Sequence, residues 1–186
     1  MRLWKTLTLA LGAVVLSACT MTSGGNGPYA PGVGRGESVD GLIVGHRLLA
    51  AGEGELALKA YYRAVAKNGL TVDALSAIGS ANLALGRLNQ AEKNLRDAIE
   101  LDETFVPAWN NLGVTLIETR RIPEAVEIFR RAFALDSGQT PEIRDNLSLA
   151  LETQDKIRYG SIPEEVIINF ALVRRGNGEY LLLSAP

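Results

Sequence analysis

From Ser38 onward, apolar residues return every three or four positions, the spacing of helices that bury one face. Aligning the chain with itself exposes a period of 34 residues in frames 38–71, 72–105 and 106–139. The eighth position of each frame holds Gly45, Gly79 and Gly113; the twentieth holds Ala57, Ala91 and Ala125; the twenty-seventh holds Ala64, Ala98 and Ala132. Larger apolar columns accompany them, with Val44, Ile78 and Leu112 at the seventh position and Tyr61, Leu95 and Phe129 at the twenty-fourth. The spacing predicts first helices near 39–50, 72–85 and 106–118, and second helices near 54–67, 88–101 and 122–135. In the last of these, Ile122, Ala125, Val126, Phe129, Ala132 and Phe133 form the stripe of a buried face. Turn residues fall between the helices: Gly52 and Gly54, Gly86, and Asp136-Ser137-Gly138. Thr140 followed by Pro141 reads as an N-cap with proline at the first helical position, opening a seventh helix near 141–154 that carries Ile143, Leu147, Ala150 and Leu151 on one side.

Small residues at fixed columns have a mechanical reason: two short helices per repeat pack antiparallel at close range, glycine and alanine sit where backbones approach, and bulky residues fill the adjoining holes. The pattern resembles the tetratricopeptide repeat, most fully in the third frame, where Trp109, Leu112, Gly113, Leu116, Ala125, Phe129 and Ala132 stand on the family's signature positions. Leu75 and Gly41 replace the tryptophan in the other frames, Asn82 replaces the usual aromatic or leucine, and Gly69, Glu103 and Ser137 replace the proline near the repeat end. Gly41 is expected to leave a hole in the first repeat. The resemblance implies an all-α solenoid of three helix-turn-helix repeats over 38–139, followed by a capping helix in 140–156. The tail, 157–186, falls outside the repeat. Half of its thirty residues are apolar, and Val166–Val173 and Tyr180–Leu183 flank Arg174-Arg175-Gly176-Asn177-Gly178-Glu179, which fits a small β-hairpin or a frayed amphipathic helix.

The first residues read as an address. Arg2 and Lys5 precede an apolar run from Leu7 to Leu16 that closes on Ser17, Ala18 and Cys19, the layout of a secretory signal. The run is too short for a helix spanning a bilayer, which takes roughly 20 residues. Leu16-Ser17-Ala18-Cys19 resembles the bacterial lipobox, which implies cleavage of a signal peptide, 1–18, and acylation of Cys19. Thr20, in place of the aspartate that favours inner-membrane retention in that sorting pattern, implies the periplasmic leaflet of the outer membrane. Residues 19–37 form the acylated cysteine and a linker. Six glycines and two prolines in positions 20–36 leave too little apolar surface to offset ordering, and the leash reaches roughly 20 to 25 Å.

Charge and composition narrow the chemistry. The whole chain carries 19 basic against 21 acidic side chains with 47% hydrophobic residues, which excludes a basic nucleic-acid binder and a disordered chain. Removing residues 1–18 takes two basic groups and no acidic ones, leaving 17 against 21, a net of −4 with no attraction to anionic lipid. One cysteine and one histidine argue against a disulfide scaffold or a zinc ribbon. No metal and no cofactor is expected beyond the lipid on Cys19. Gly32-Val33-Gly34-Arg35-Gly36 lacks the strand and the Lys-Ser/Thr ending of a phosphate loop, and Gly52-Glu53-Gly54-Glu55-Leu56-Ala57 joins two helices instead of following a strand, so neither reads as a nucleotide site. Glu100, Asp102 and Glu103 are a solvated helix end and lack calcium-loop spacing. No nucleophile, base and orienting group assemble from the motifs; His46 is the single imidazole, and a catalytic role for it is the remote alternative.

The resemblance places the functional surface on the concave face of the first helices. There it implies a partner-binding groove from Leu42, His46 and Leu49; Asp73, Ser76, Ser80 and Leu83; and Asn110, Asn111, Val114, Ile117 and Glu118, with Val39, Ala50, Ala84 and Pro107 also in its lining. Chaperone-binding members clamp a terminal carboxylate with basic residues, but Leu42, Pro107 and Asn111 occupy those places, so that clamp is absent. The groove suits a hydrophobic helix or strand of a partner, with Asn110 and Asn111 bonding its backbone. Equally, the apolar tail could fold back and fill it. The layout is similar to small repeat lipoproteins that assist pilus and secretion machines, the tight-adherence (Flp/Tad) pilus assembly lipoproteins and secretin pilotins among them. It implies a non-enzymatic adaptor with a secretin or other assembly component as partner, and neither nucleic acid nor small-molecule substrate. An adaptor recruiting periplasmic hydrolases or peptidases is the alternative.

Overall fold

The computed structural model describes residues 40–160, 170–174 and 180–184, all within one compact unit that begins at Val39. The expected signal peptide, Cys19 and linker lie outside the described residues, as do 161–169 and the hairpin connection 175–179. The described chain forms α1 (Gly41–Ala50), α2 (Gly54–Asn68), α3 (Val72–Ala84), α4 (Leu88–Leu101), α5 (Val106–Glu118), α6 (Ile122–Asp136) and α7 (Pro141–Arg158), then β1 (Phe170–Arg174) and β2 (Tyr180–Ser184). Each repeat is a helical hairpin, α1 with α2, α3 with α4 and α5 with α6. The first helices α1, α3, α5 and α7 follow one another along one side. The chain is an all-α solenoid with a short antiparallel strand pair after it. None of the described helices is long and apolar enough to cross a membrane.

The repeated glycine column has a steric origin. A methyl group at Gly45 would overlap the Tyr61 ring, one at Gly79 would stand 2.7 Å from Leu95, and one at Gly113 2.5 Å from the Phe129 ring. The eighth position of each repeat is therefore the floor on which its own twenty-fourth side chain lies, and the three side chains Tyr61, Leu95 and Phe129 are fully buried. Alanines 57, 64, 91, 98, 125 and 132 are buried beside them, letting the paired helices approach. Gly41 behaves in the same way, contrary to the expected hole: a methyl there would meet the Ala60 carbonyl at 2.7 Å and the Ala64 methyl at 3.0 Å. The first repeat closes by bringing backbones together where a tryptophan would have held them apart. In the third repeat, Trp109 instead donates its indole N–H to the Glu103 carbonyl at 2.8 Å, with the Arg131 guanidinium 5.8 Å from its ring centre.

The turn inside each repeat supplies a column invisible as a motif. Gly52, Gly86 and Arg120 occupy the same fifteenth position and take positive φ of 81°, 69° and 62°. Arginine pays a steric cost there that glycine avoids, about 1–2 kcal/mol for a residue with a Cβ in the left-handed region. Arg120→Gly should therefore stabilise the fold by roughly 1 kcal/mol once the extra chain entropy of glycine is subtracted. Urea unfolding would show it as a higher midpoint at unchanged slope; an unchanged or lower midpoint would contradict the strain.

Repeats two and three are also joined on their outer helices. Arg96 bonds Glu92 at 2.9 Å and Glu124 at 2.7 Å, while Arg121 reaches Glu92 at 2.7 Å and also pairs with Glu124. Burial alone would raise the Glu92 carboxyl, but hydrogen bonds from Arg121 and Arg96 outweigh it and leave the group below its ordinary value. A depressed carboxylate contributes stability above its unfolded pKa and loses it as pH falls through the folded one, so the ion pairs hold at neutral pH and fail in acid.

Two stripes differ from expectation. Phe133 is 38% exposed, because it turns out of the α6 core stripe and lays its ring against Gly138, where an added methyl would meet it at 2.7 Å. On α7 the buried line is Ile143, Asn146, Ala150 and Thr153, with Leu147 and Leu151 only half-buried beside it. Thr140 opens α7 without a side-chain cap; its hydroxyl donates to Asp136 Oδ1 at 2.9 Å. The tail pairs β1 with β2 in antiparallel register, Phe170 opposite Ser184 and Arg174 opposite Tyr180.

Candidate functional site: the groove and its resident strand

Three of the first helices present amides and hydroxyls along one line. Ser76 and Ser80 come from α3, Asn110 and Asn111 from α5, and Asn146 from α7, and all five are buried. A buried asparagine must find partners for two donors and one acceptor, and here the orientations fix one another. Asn146 Nδ2 donates to Asn110 Oδ1 at 2.9 Å; Asn110 Nδ2 donates to Asn111 Oδ1 at 3.2 Å; Asn111 Nδ2 donates to Ser80 Oγ at 2.8 Å; and the Ser80 hydroxyl donates to the Ser76 carbonyl at 2.9 Å.

The remaining valences go to β2. The Tyr180 carbonyl accepts from Asn110 Nδ2 at 3.2 Å and from Asn146 Nδ2 at 2.6 Å, filling both of its lone pairs. The Tyr180 amide donates to Asn111 Oδ1 at 3.2 Å, and the Leu182 amide to Asn146 Oδ1 at 2.8 Å. The Tyr180 hydroxyl reaches across to the Ser80 carbonyl at 2.9 Å. Tyr180 and Leu182 are each 2% exposed and belong to the main hydrophobic cluster, together with Leu83, Val114 and Ile117. Successive residues of a strand turn their main-chain groups to opposite edges. The edge bearing Tyr180 and Leu182 thus meets the asparagines, in the place where another strand would pair, and the opposite edge serves β1.

The strength of this docking is modest. Burying Tyr180 and Leu182 contributes roughly 2 kcal/mol each. Five hydrogen bonds add about 1 kcal/mol each. Ordering the five residues of β2 costs about 1–2 kcal/mol apiece. Gain and cost lie within a few kcal/mol of one another, so the strand sits in the groove without being locked there.

The expected groove residues divide into those this arrangement uses and those it does not. Ser76, Ser80, Asn110 and Asn111 form the polar line; Leu83, Val114 and Ile117 are buried in the cluster that receives the strand. Leu49 fills the core of the first repeat with Tyr61 and Ile78, and Leu42 packs against that cluster, so both act as packing residues and not as open groove surface. His46 is half-buried, its Nδ1 3.1 Å from the Tyr61 hydroxyl and the two rings edge-to-face at 5.4 Å. Asp73 and Glu118 stand exposed at helix ends, away from the bonded line, and partial desolvation raises the Glu118 carboxyl above its ordinary value. Asn146, Tyr180 and Leu182 were not among the expected site residues. A signal for Asn146 existed: Ser76, Asn110 and Asn146 follow one another at 34 and 36 residues, the period continued with one extra residue in α6 and one further step along α7. Among the described residues, no group of three or more His, Cys, Asp or Glu side chains is placed to hold a metal ion.

Family models described as tetratricopeptide repeat match residues 45–104 and 82–146, together more than half of the 186 residues. The chain belongs to the tetratricopeptide repeat family. Solved structures of similar fold include the Sgt2 TPR domain from Aspergillus fumigatus, at 19% identity and TM-score 0.62, covering 70% of this chain and 87% of that one. MamA matches at 21% identity and TM-score 0.55, with 62% of this chain and 67% of that one covered. The second TPR domain of human RPAP3, solved in complex with the HSP70 peptide SGPTIEEVD, matches at 23% identity and TM-score 0.54, covering 60% and 92%. At these identities the likeness is one of fold. TPR domains generally mediate protein–protein interactions, and RPAP3 is an instance with its peptide bound.

Proposed function

We propose that this tetratricopeptide repeat protein is a non-enzymatic adaptor that holds an envelope protein beside the outer membrane, anchored by acyl chains on Cys19. The observation that carries the reading is the polar line of Asn110, Asn111 and Asn146, which bonds the main chain of an extended segment while apolar neighbours take the Tyr180 and Leu182 side chains. Such a surface binds polypeptide and offers no nucleophile with a base. The peptide held by the RPAP3 domain supports a peptide as ligand here too. Unlike that acidic peptide, the client of this groove has no basic clamp to meet, since Leu42, Pro107 and Asn111 stand at those positions.

The lipobox-like Leu16-Ser17-Ala18-Cys19 and the Gly- and Pro-rich leash support tethering at the periplasmic leaflet, where confinement raises the effective concentration of the groove for a membrane-bound client. Repeats on a lipid leash resemble the tight-adherence pilus assembly lipoprotein TadD, and a pilus or secretin component is the client we propose. Cys19→Ser tests both parts. The native chain should fractionate with outer membrane and recover a secretin or pilus component on cross-linking, and the serine variant should be soluble and lose that recovery. Equal membrane association of the two forms would refute the anchor; recovery of a periplasmic hydrolase in place of an assembly component would reassign the client.

A further inference from the structure

We infer that β2 is a stand-in for the client: the groove selects an extended segment of another protein bearing a tyrosine two residues before an aliphatic side chain, and that segment binds by displacing β2. The inference rests on the adaptor reading and adds to it what is recognised and how access is controlled.

The groove itself shows which features it reads. Asn110, Asn111 and Asn146 bond the main chain of Tyr180 and Leu182, and main-chain bonds are available to any sequence. Selectivity then comes from side chains, and among the described ones of this strand Tyr180 and Leu182 are buried. At the first position the ring needs a hydroxyl, because its oxygen donates to the Ser80 carbonyl on α3, two helices away from Asn146 on α7. At the second position Leu182 enters the apolar cluster with Val114 and Ile117. The intervening residue turns its main chain toward β1. The groove's bonds to this strand come from asparagine amides and the Ser80 carbonyl, uncharged groups that suit a polypeptide main chain and a hydroxyl better than a carboxylate or a phosphate.

Exchange is open to the molecule because the repeats do not depend on the strand. The glycine floors and their Tyr61, Leu95 and Phe129 lids close each helical hairpin from within. An emptied line of asparagine and serine accepts water in place of the strand. A strand resident in about 99% of molecules would weaken a client's apparent affinity about 100-fold, which sets a threshold that only a well-matched or locally concentrated segment passes.

The test uses the mature chain carrying Cys19→Ser and, as probe, a fluorescein-labelled peptide with the sequence of residues 179–186, alongside a control peptide with alanine in place of its tyrosine. Tyr180→Ala should raise affinity for the probe by about tenfold or more over the parent, since the resident strand loses its anchor while the groove keeps its own. Tyr180→Phe should raise it by less, adding Asn146→Leu to either should abolish the gain, and the control peptide should stay unbound. If Tyr180→Ala disturbs the helical circular dichroism, Tyr180→Phe decides. No gain in either folded variant, or a gain indifferent to Asn146→Leu, would overturn the proposal. Concentration-dependent dimers of the Tyr180 variants, dispersed by the probe, would overturn it too, assigning the exchange to a second copy of the chain. Failure of the adaptor reading looks different: the probe behaves as expected, yet no envelope protein cross-links to the groove in cells. A client captured equally by the parent and by Asn146→Leu would leave the adaptor standing and remove this mode of recognition.

Discussion

Asn146→Leu is expected to release β2 while leaving the solenoid folded. Leucine matches the side chain's size but removes three hydrogen-bonding partners at once: a donor to the Tyr180 carbonyl, a donor to Asn110 Oδ1 and the acceptor for the Leu182 amide. Leaving buried polar groups unpaired costs about 1–3 kcal/mol each. The strand avoids most of that cost by leaving the groove and becoming hydrated, so the loss falls on docking and not on the helices. Because docking is nearly balanced by ordering, a loss of about 3 kcal/mol shifts the docked-to-free ratio by roughly a hundredfold. Limited proteolysis should cut the variant after α7 within the time the parent stays whole, with an unchanged helical circular dichroism spectrum. Equal cleavage of both chains would show that Asn146 does not retain the strand.

The second large effect lies in the repeat column. Phe129→Ala should cost about 3–5 kcal/mol, the usual cost of emptying a fully buried aromatic site. Gly113→Ala should cost about 1–3 kcal/mol through overpacking, since the new methyl would stand 2.5 Å from the Phe129 ring. Together the two should cost less than their sum. In the Phe129→Ala background, the methyl at position 113 points into the vacated space and fills part of it. Residues in contact couple by about 0.5–3 kcal/mol, and here the sign is fixed: alanine at 113 is harmful against phenylalanine and neutral or helpful against alanine. Urea unfolding of the four proteins in the cycle measures it, and strict additivity would mean that glycine is required for a reason other than the ring above it.

The helices were legible because their signal is repeated. Three frames carry the same small and large columns, and each predicted helix start lies within two residues of the observed one, with six of the seven ends within one. What a column means in three dimensions was less legible. Gly41 read as a missing side chain and proved to be a close contact, since a sequence records the absent atom but not the backbone that moves in to meet it. Arg120 escaped notice as a turn residue because its left-handed backbone is imposed by the repeat and not announced by glycine. At the candidate site, Asn110 and Asn111 were recognisable as groups able to bond a backbone, but not whose. The answer depended on Asn146, shifted two residues off the 34-residue period, and on a tail whose apolar alternation fits a hairpin and a helix alike. His46 drew attention as the single imidazole; its Nδ1 lies within hydrogen-bond distance of the Tyr61 hydroxyl, a contact between helices that no single-helix pattern reveals.

Amide hydrogen exchange at Tyr180 and Leu182 in the unmodified mature chain measures whether the groove holds an extended backbone. With their N–H groups bonded to Asn111 and Asn146, both amides should exchange about 10- to 100-fold more slowly than in the isolated peptide of residues 179–186. Exchange at the peptide's own rate at both positions, with α5 amides still protected, would mean that the asparagine line holds no strand.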